Sequence, residues 1–105
     1  MEQLFESSPG GFLHTVLLPF ADILNEHMNE FQRAVDASDV EAARAVTHTI
    51  KGAARNLGFT TLGYLAENVE ADTKRGSMQA AVEALSAIMT EVHAIHAYIQ
   101  SYNQS

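Results

Sequence analysis

Apolar residues recur at every third or fourth position through almost the whole chain, and over no useful length do they alternate at every second one. That period belongs to a helix and not to a strand, so the 105 residues are expected to form helices, each presenting one apolar stripe. The first stripe runs from Phe12 and Leu13 through Val16, Leu17, Phe20, Ile23, Leu24, Met28 and Phe31 to Val35. Leu4 and Phe5 suit a lead-in turn, and Ser8 before Pro9 reads as an N-cap followed by proline at the first helical position. Pro19 lies inside the stripe. It removes a backbone donor and collides with the carbonyl four residues back, so a kink or a break is expected there, giving one bent helix or two consecutive ones.

Ser38-Asp39-Val40-Glu41 fits a capping box and opens a second helix. That helix extends to about Leu57, with Gly58 as its left-handed terminator. Thr60 and Thr61 offer an N-cap to a third helix, whose stripe is Leu62, Leu65, Ala66 and Val69. It ends near Arg75, where Lys74 and Arg75 face the negative end of the helix dipole and Gly76 stops the chain. Ser77 caps a last helix with Ala81, Leu85, Ile88, Val92, Ile95 and Ile99 on one side. Amphipathic helices joined by short loops bury their stripes against one another. The expected fold is therefore all-α: a single domain over 1–105, an antiparallel up-down-up-down four-helix bundle with its first long helix kinked or broken near Pro19.

Charge and composition remove several functions. The chain carries 13 acidic and 6 basic side chains, a net charge of -7, with no basic stripe long enough to follow a nucleic acid backbone. Without cysteine it forms no disulfide and no thiolate metal site. No apolar run approaches the ~20 residues of a membrane span, and the N-terminus lacks the basic start and apolar middle of a signal peptide. A soluble cytoplasmic monomer is expected, with no nucleic acid or membrane partner.

Within the second helix, His48 lies off the apolar stripe formed by Val46, Ile50, Ala53, Ala54 and Leu57. It shares the opposite face with Arg44, Lys51, Gly52 and Arg55, which helical spacing brings together. Gly52 costs about 1 kcal/mol against alanine in a helix interior, so a close approach by a packed neighbour or by a visiting molecule is expected there. A neutral imidazole has a free nitrogen lone pair and is a nucleophile. Lys51 and Arg55 disfavour a further positive charge on the ring. The same two cations would attract the roughly two negative charges of a phosphoryl group carried on it.

The string His-Thr-Ile-Lys-Gly-Ala-Ala-Arg-Asn-Leu-Gly over residues 48–58 resembles the signature of histidine-containing phosphotransfer (HPt) domains of two-component phosphorelays. Its marks are the histidine, a lysine at plus three, a glycine at plus four, small residues after it and a glycine at plus ten. Here they fall on His48, Lys51, Gly52, Ala53, Ala54 and Gly58, and Leu62 and Glu70 stand where the family has an apolar residue and an acid or amide. The resemblance implies that His48 carries a phosphoryl group on Nε2, taken from a receiver-domain aspartate and passed to another. Lys51 would then stabilise the phosphoryl group and Gly52 leave steric access. Arg55 would support, and Gly58 would cap. Glu70 would hold the far ring nitrogen, a reading that stands beside that of a solvated surface acid. Lys74, one turn on, is read as a helix-end charge or as a cation near the phosphoryl group. The implied partners are response-regulator receiver domains and a hybrid sensor histidine kinase. Phe12, Leu13, Leu17 and Leu18 are the docking candidates. The chain has no glycine-rich nucleotide loop, so no cofactor is expected on it, and Mg²⁺ would sit on the partner receiver.

Two other readings stand beside this one. A bundle of the same shape could bind a receiver or kinase as a non-catalytic adaptor. His93 and His96, three apart on the last helix, could share a metal, but the sequence offers them no third ligand and no metal site is expected. A di-iron bundle would need paired Glu-x-x-His motifs, which are absent.

Overall fold

The computed structural model describes residue 11 and residues 13–104. The expected lead-in turn at Leu4 and Phe5 and the cap at Ser8-Pro9 lie outside the described residues, as does Phe12. A π-helical segment, Leu13–Leu17, passes directly into α1, Leu18–Asp36. Then follow α2, Val40–Asn56, α3, Thr60–Lys74, and α4, Gln79–Gln104. No strand occurs among the described residues.

Just before Pro19, where the sequence suggests a kink or a break, the helical geometry changes from π to α. In an α-helix the proline ring would meet the carbonyl of Thr15, and the wider π turn covers that residue. Pro19 itself falls in the first turn of α1, where the missing N–H has no intrahelical partner to lose.

All three interhelix turns are built alike. Each helix ends in a residue of positive φ: Ser38 at 52°, Gly58 at 83° and Gly76 at 82°. The next amide bonds back to the preceding helix: Asp39 N–H to Ala34 at 2.8 Å, Phe59 N–H to Ala54 at 2.8 Å and Ser77 N–H to Asp72 at 3.2 Å. This is the Schellman arrangement, which satisfies orphan carbonyls and turns the chain tightly.

Two caps differ from expectation. Ser38 is drawn into the turn, so the N-cap of α2 is Asp39, whose carboxylate accepts from Ala42 N–H at 3.1 Å. The capping box Ser38–Glu41 therefore does not form. Neither threonine caps α3. Its N-cap position is Phe59, whose side chain has no acceptor to offer; the ring stacks on Phe20 at 5.7 Å.

The helices pack in a closed order, α1 on α2, α2 on α3, α3 on α4 and α4 back on α1. Phe31 and Leu24 from α1, Ile50 from α2, Leu62 and Val69 from α3, and Ile88, Val92 and Ile99 from α4 are the large, fully buried apolar side chains. Ile23, expected on the apolar stripe of α1, is 49% exposed; that stripe is wider than the face the bundle covers. The tightest approach is between α2 and α3. A methyl group on Gly63 would lie 3.1 Å from Cγ of Arg55, so this glycine lets the arginine stem lie across α3.

Candidate functional site

The turn of α2 around residue 48 divides its side chains sharply. Thr47 is buried, and its hydroxyl donates to the Ala43 carbonyl at 2.7 Å. Ile50 is buried on the same side. The helical angle between these positions sends His48 outward, where its side chain is 68% exposed.

The ring is nevertheless held. Nδ1 of His48 lies 2.8 Å from Oε2 of Glu70, whose side chain is only 4% exposed. Nζ of Lys51 sits 2.6 Å from the other oxygen, Oε1. Nζ of Lys74 stands 3.8 Å from Oε2, one turn along α3. The Lys51 hydrogen bond, with help from His48 and the charges of both lysines, holds the Glu70 carboxyl below its ordinary value even though burial pushes it up. Glu70 is thus a carboxylate at neutral pH and can only accept. The proton in the His48–Glu70 bond therefore resides on Nδ1, and in the neutral ring Nε2 has the free lone pair, on a side chain that is largely exposed.

Gly52 lies one turn beyond His48. A Cβ built there meets nothing within 4 Å, which removes a packed neighbour as the reason for the glycine and leaves open space beside the imidazole. Gly58 serves as the left-handed terminator already described.

The remaining cations of this face are engaged elsewhere. Arg44 donates to Glu41 at 2.7 Å, and Arg55 reaches across to Glu67 on α3. Arg55 is therefore placed beside the site with its own acid, and Lys51 likewise spends its charge on Glu70. Both cations that the sequence places near the ring are thus paired with carboxylates, Lys51 with Glu70 and Arg55 with Glu67.

Of the docking candidates, Phe12 lies outside the described residues, as does the side chain of Leu13. Leu17 is buried in the core and Leu18 packs half-buried against it, so Leu17 offers no surface. His93 is exposed and His96 half-buried on α4. Among the described residues no group of three or more His, Asp or Glu is arranged to hold a metal ion.

The pairing of Lys74 with Glu70 was not drawn from the sequence, although the four-residue spacing places an acid and a base together on any helix. Sequence reasoning missed Gly63 altogether, although an isolated glycine inside a helical pattern is itself a sign of close approach.

The family model described as the Hpt domain matches residues 16–100. Among solved structures, the chain is similar to the crystal structure of histidine-containing phosphotransfer protein B (HptB) from Pseudomonas aeruginosa PAO1. The TM-score is 0.85 at 22% sequence identity, over 99% of this chain and 90% of that one. At that identity the likeness speaks for the fold. A search among curated proteins found no match.

Proposed function

The chain belongs to the Hpt domain family, and on that premise we propose that it carries a phosphoryl group on His48, accepting it from one receiver-domain aspartate and passing it to another. The observation that carries this reading is the Nδ1–Glu70 bond on an otherwise exposed ring. It fixes the tautomer whose Nε2 is nucleophilic.

In the forward step the Nε2 lone pair attacks the phosphorus of an aspartyl phosphate. The bond from phosphorus to the aspartate oxygen breaks, and the carboxylate leaves with the electron pair. The ring gains a positive charge, with its proton still on Nδ1 against Glu70, so the charge develops beside a fixed anion. The return step is the same exchange reversed. Mg²⁺ belongs to the receiver in this scheme and not to this chain.

Open space at Gly52 supports an approach by the partner's reactive group in line with Nε2. Ile23 offers exposed apolar surface on the neighbouring helix for docking. Loop lengths support an antiparallel order of helices. The longest interhelix loop has four residues, five steps from helix end to helix start, and reaches at most about 18 Å. The shortest helix, with 15 residues, is about 22 Å long, so no loop can return the chain to the end it left. Partners are receiver domains and a hybrid sensor kinase, with the chain acting as a cytoplasmic monomer.

Incubation with a phosphorylated receiver tests the reading. Wild type should acquire acid-labile, alkali-stable phosphate, and His48→Gln should acquire none while keeping its helical circular dichroism. Labelling that survives the substitution moves the site elsewhere. A wild type that binds phosphorylated receivers yet is never labelled is an adaptor.

A further inference from the structure

Four cations face the His48 side of the bundle, and three of them already hold an acid at hydrogen-bonding distance. Arg44 has Glu41, Arg55 has Glu67 and Lys51 has Glu70. Lys74 differs. Its ammonium stands 3.8 Å from Oε2 of Glu70, the oxygen that already accepts from His48, and its side chain is 60% exposed against 22% for Lys51.

We propose that Lys74 is the cation that moves onto the phosphoryl group of phosphorylated His48, while Lys51 stays with Glu70 and acts as a positioning residue. This rests on the phosphotransfer reading above.

The two lysines differ in what they would leave behind. Taking Lys51 away would break a 2.6 Å contact and leave Oε1 of a buried carboxylate without its main partner. Taking Lys74 away gives up a loose, exposed contact of the kind that contributes little, and leaves Glu70 with both close partners. Lys74 shares its oxygen with the imidazole, which keeps the ammonium beside the ring. A four-carbon stem lets it swing without moving the helix. The two lysines reach the same carboxylate from different helices, Lys51 from α2 and Lys74 from α3. The incoming dianion would thus meet one mobile charge and one fixed charge.

A test phosphorylates the full chain with phosphoramidate and follows the phosphohistidine resonance by ³¹P NMR as pH is varied. A cation against the phosphoryl oxygens favours the dianion. Lys74→Gln should make the phosphoryl group bind its proton roughly three- to tenfold more tightly, Lys74→Arg should restore wild-type titration, and Lys51→Gln should shift it less than Lys74→Gln does. A Lys74→Gln titration that superimposes on that of a phosphorylated wild type overturns the proposal alone. So does a larger shift in Lys51→Gln. A wild type that forms no phosphohistidine at His48 overturns the phosphotransfer reading and this proposal with it.

Discussion

Glu70 is the residue on which the site turns. One carboxylate orients an imidazole, anchors Lys51 and gathers Lys74, and each bond to it involves a charged group. Such hydrogen bonds are worth about 1.5–3 kcal/mol, so losing the one to His48 should slow acceptance from a phosphorylated receiver by roughly 10–100-fold. Glu70→Ala measured by initial labelling rates is the check; Glu70→Gln, which keeps an acceptor for Nδ1–H, should lose less. Protonation gives a second measurement. Because the folded carboxyl lies below its ordinary value of 4.5, its contribution is complete above that value and fades as pH falls through the lower, folded one. The stability advantage of wild type over Glu70→Gln in urea titrations should therefore shrink on going from pH 7 into the acid range. Gly52 invites the opposite experiment. Alanine there has room and should stabilise the helix by about 0.5–1 kcal/mol, yet the added methyl should slow phosphotransfer.

At the scale of elements, the turns decide where helices stop, and their chemistry was only partly readable. Gly58 and Gly76 announced themselves, because only glycine adopts their backbone without strain. Ser38 concealed its role. A serine before an acid reads as a cap, and the sequence holds no sign that the preceding helix would claim it at φ 52°. This leads to a paired prediction. Ser38→Gly should raise stability, and Gly58→Ala should lower it, each by about 1 kcal/mol, as read from thermal or urea unfolding. At the join of α3 and α4, Asp72 binds the two helices together. It accepts from Ala80 N–H at 2.9 Å and from the Ser77 hydroxyl at 2.8 Å. Those bonds, led by the Ala80 amide, hold its carboxyl below the ordinary carboxylate value. Ser77 was expected as the cap. It does accept from Gln79 N–H at 3.2 Å, but an acid from the previous helix shares the task, a partnership that spacing within one helix cannot reveal.

For the molecule as a whole, fold and site are separable. Phe31 is fully buried and His48 largely exposed. Phe31→Ala should cost about 3–5 kcal/mol and abolish activity by unfolding the bundle. His48→Gln should abolish it with a change in stability of about 1 kcal/mol or less. Denaturant titrations beside phosphotransfer assays distinguish the two. The all-helical fold was legible because the 3.6-residue period persists through all four helices. The family was legible because the motif around His48 is local. What joins α2 to α3 was less so, since the reach of Glu70 and the close approach at Gly63 depend on two helices meeting in a register that one strip of sequence does not state.

The imidazole is secured at one nitrogen by its own chain and left bare at the other. Its aim is thus settled before any visitor arrives. In the relay proposed above, a protein coming to give and a protein coming to take would find the same target, and neither would have to supply the means of turning the ring.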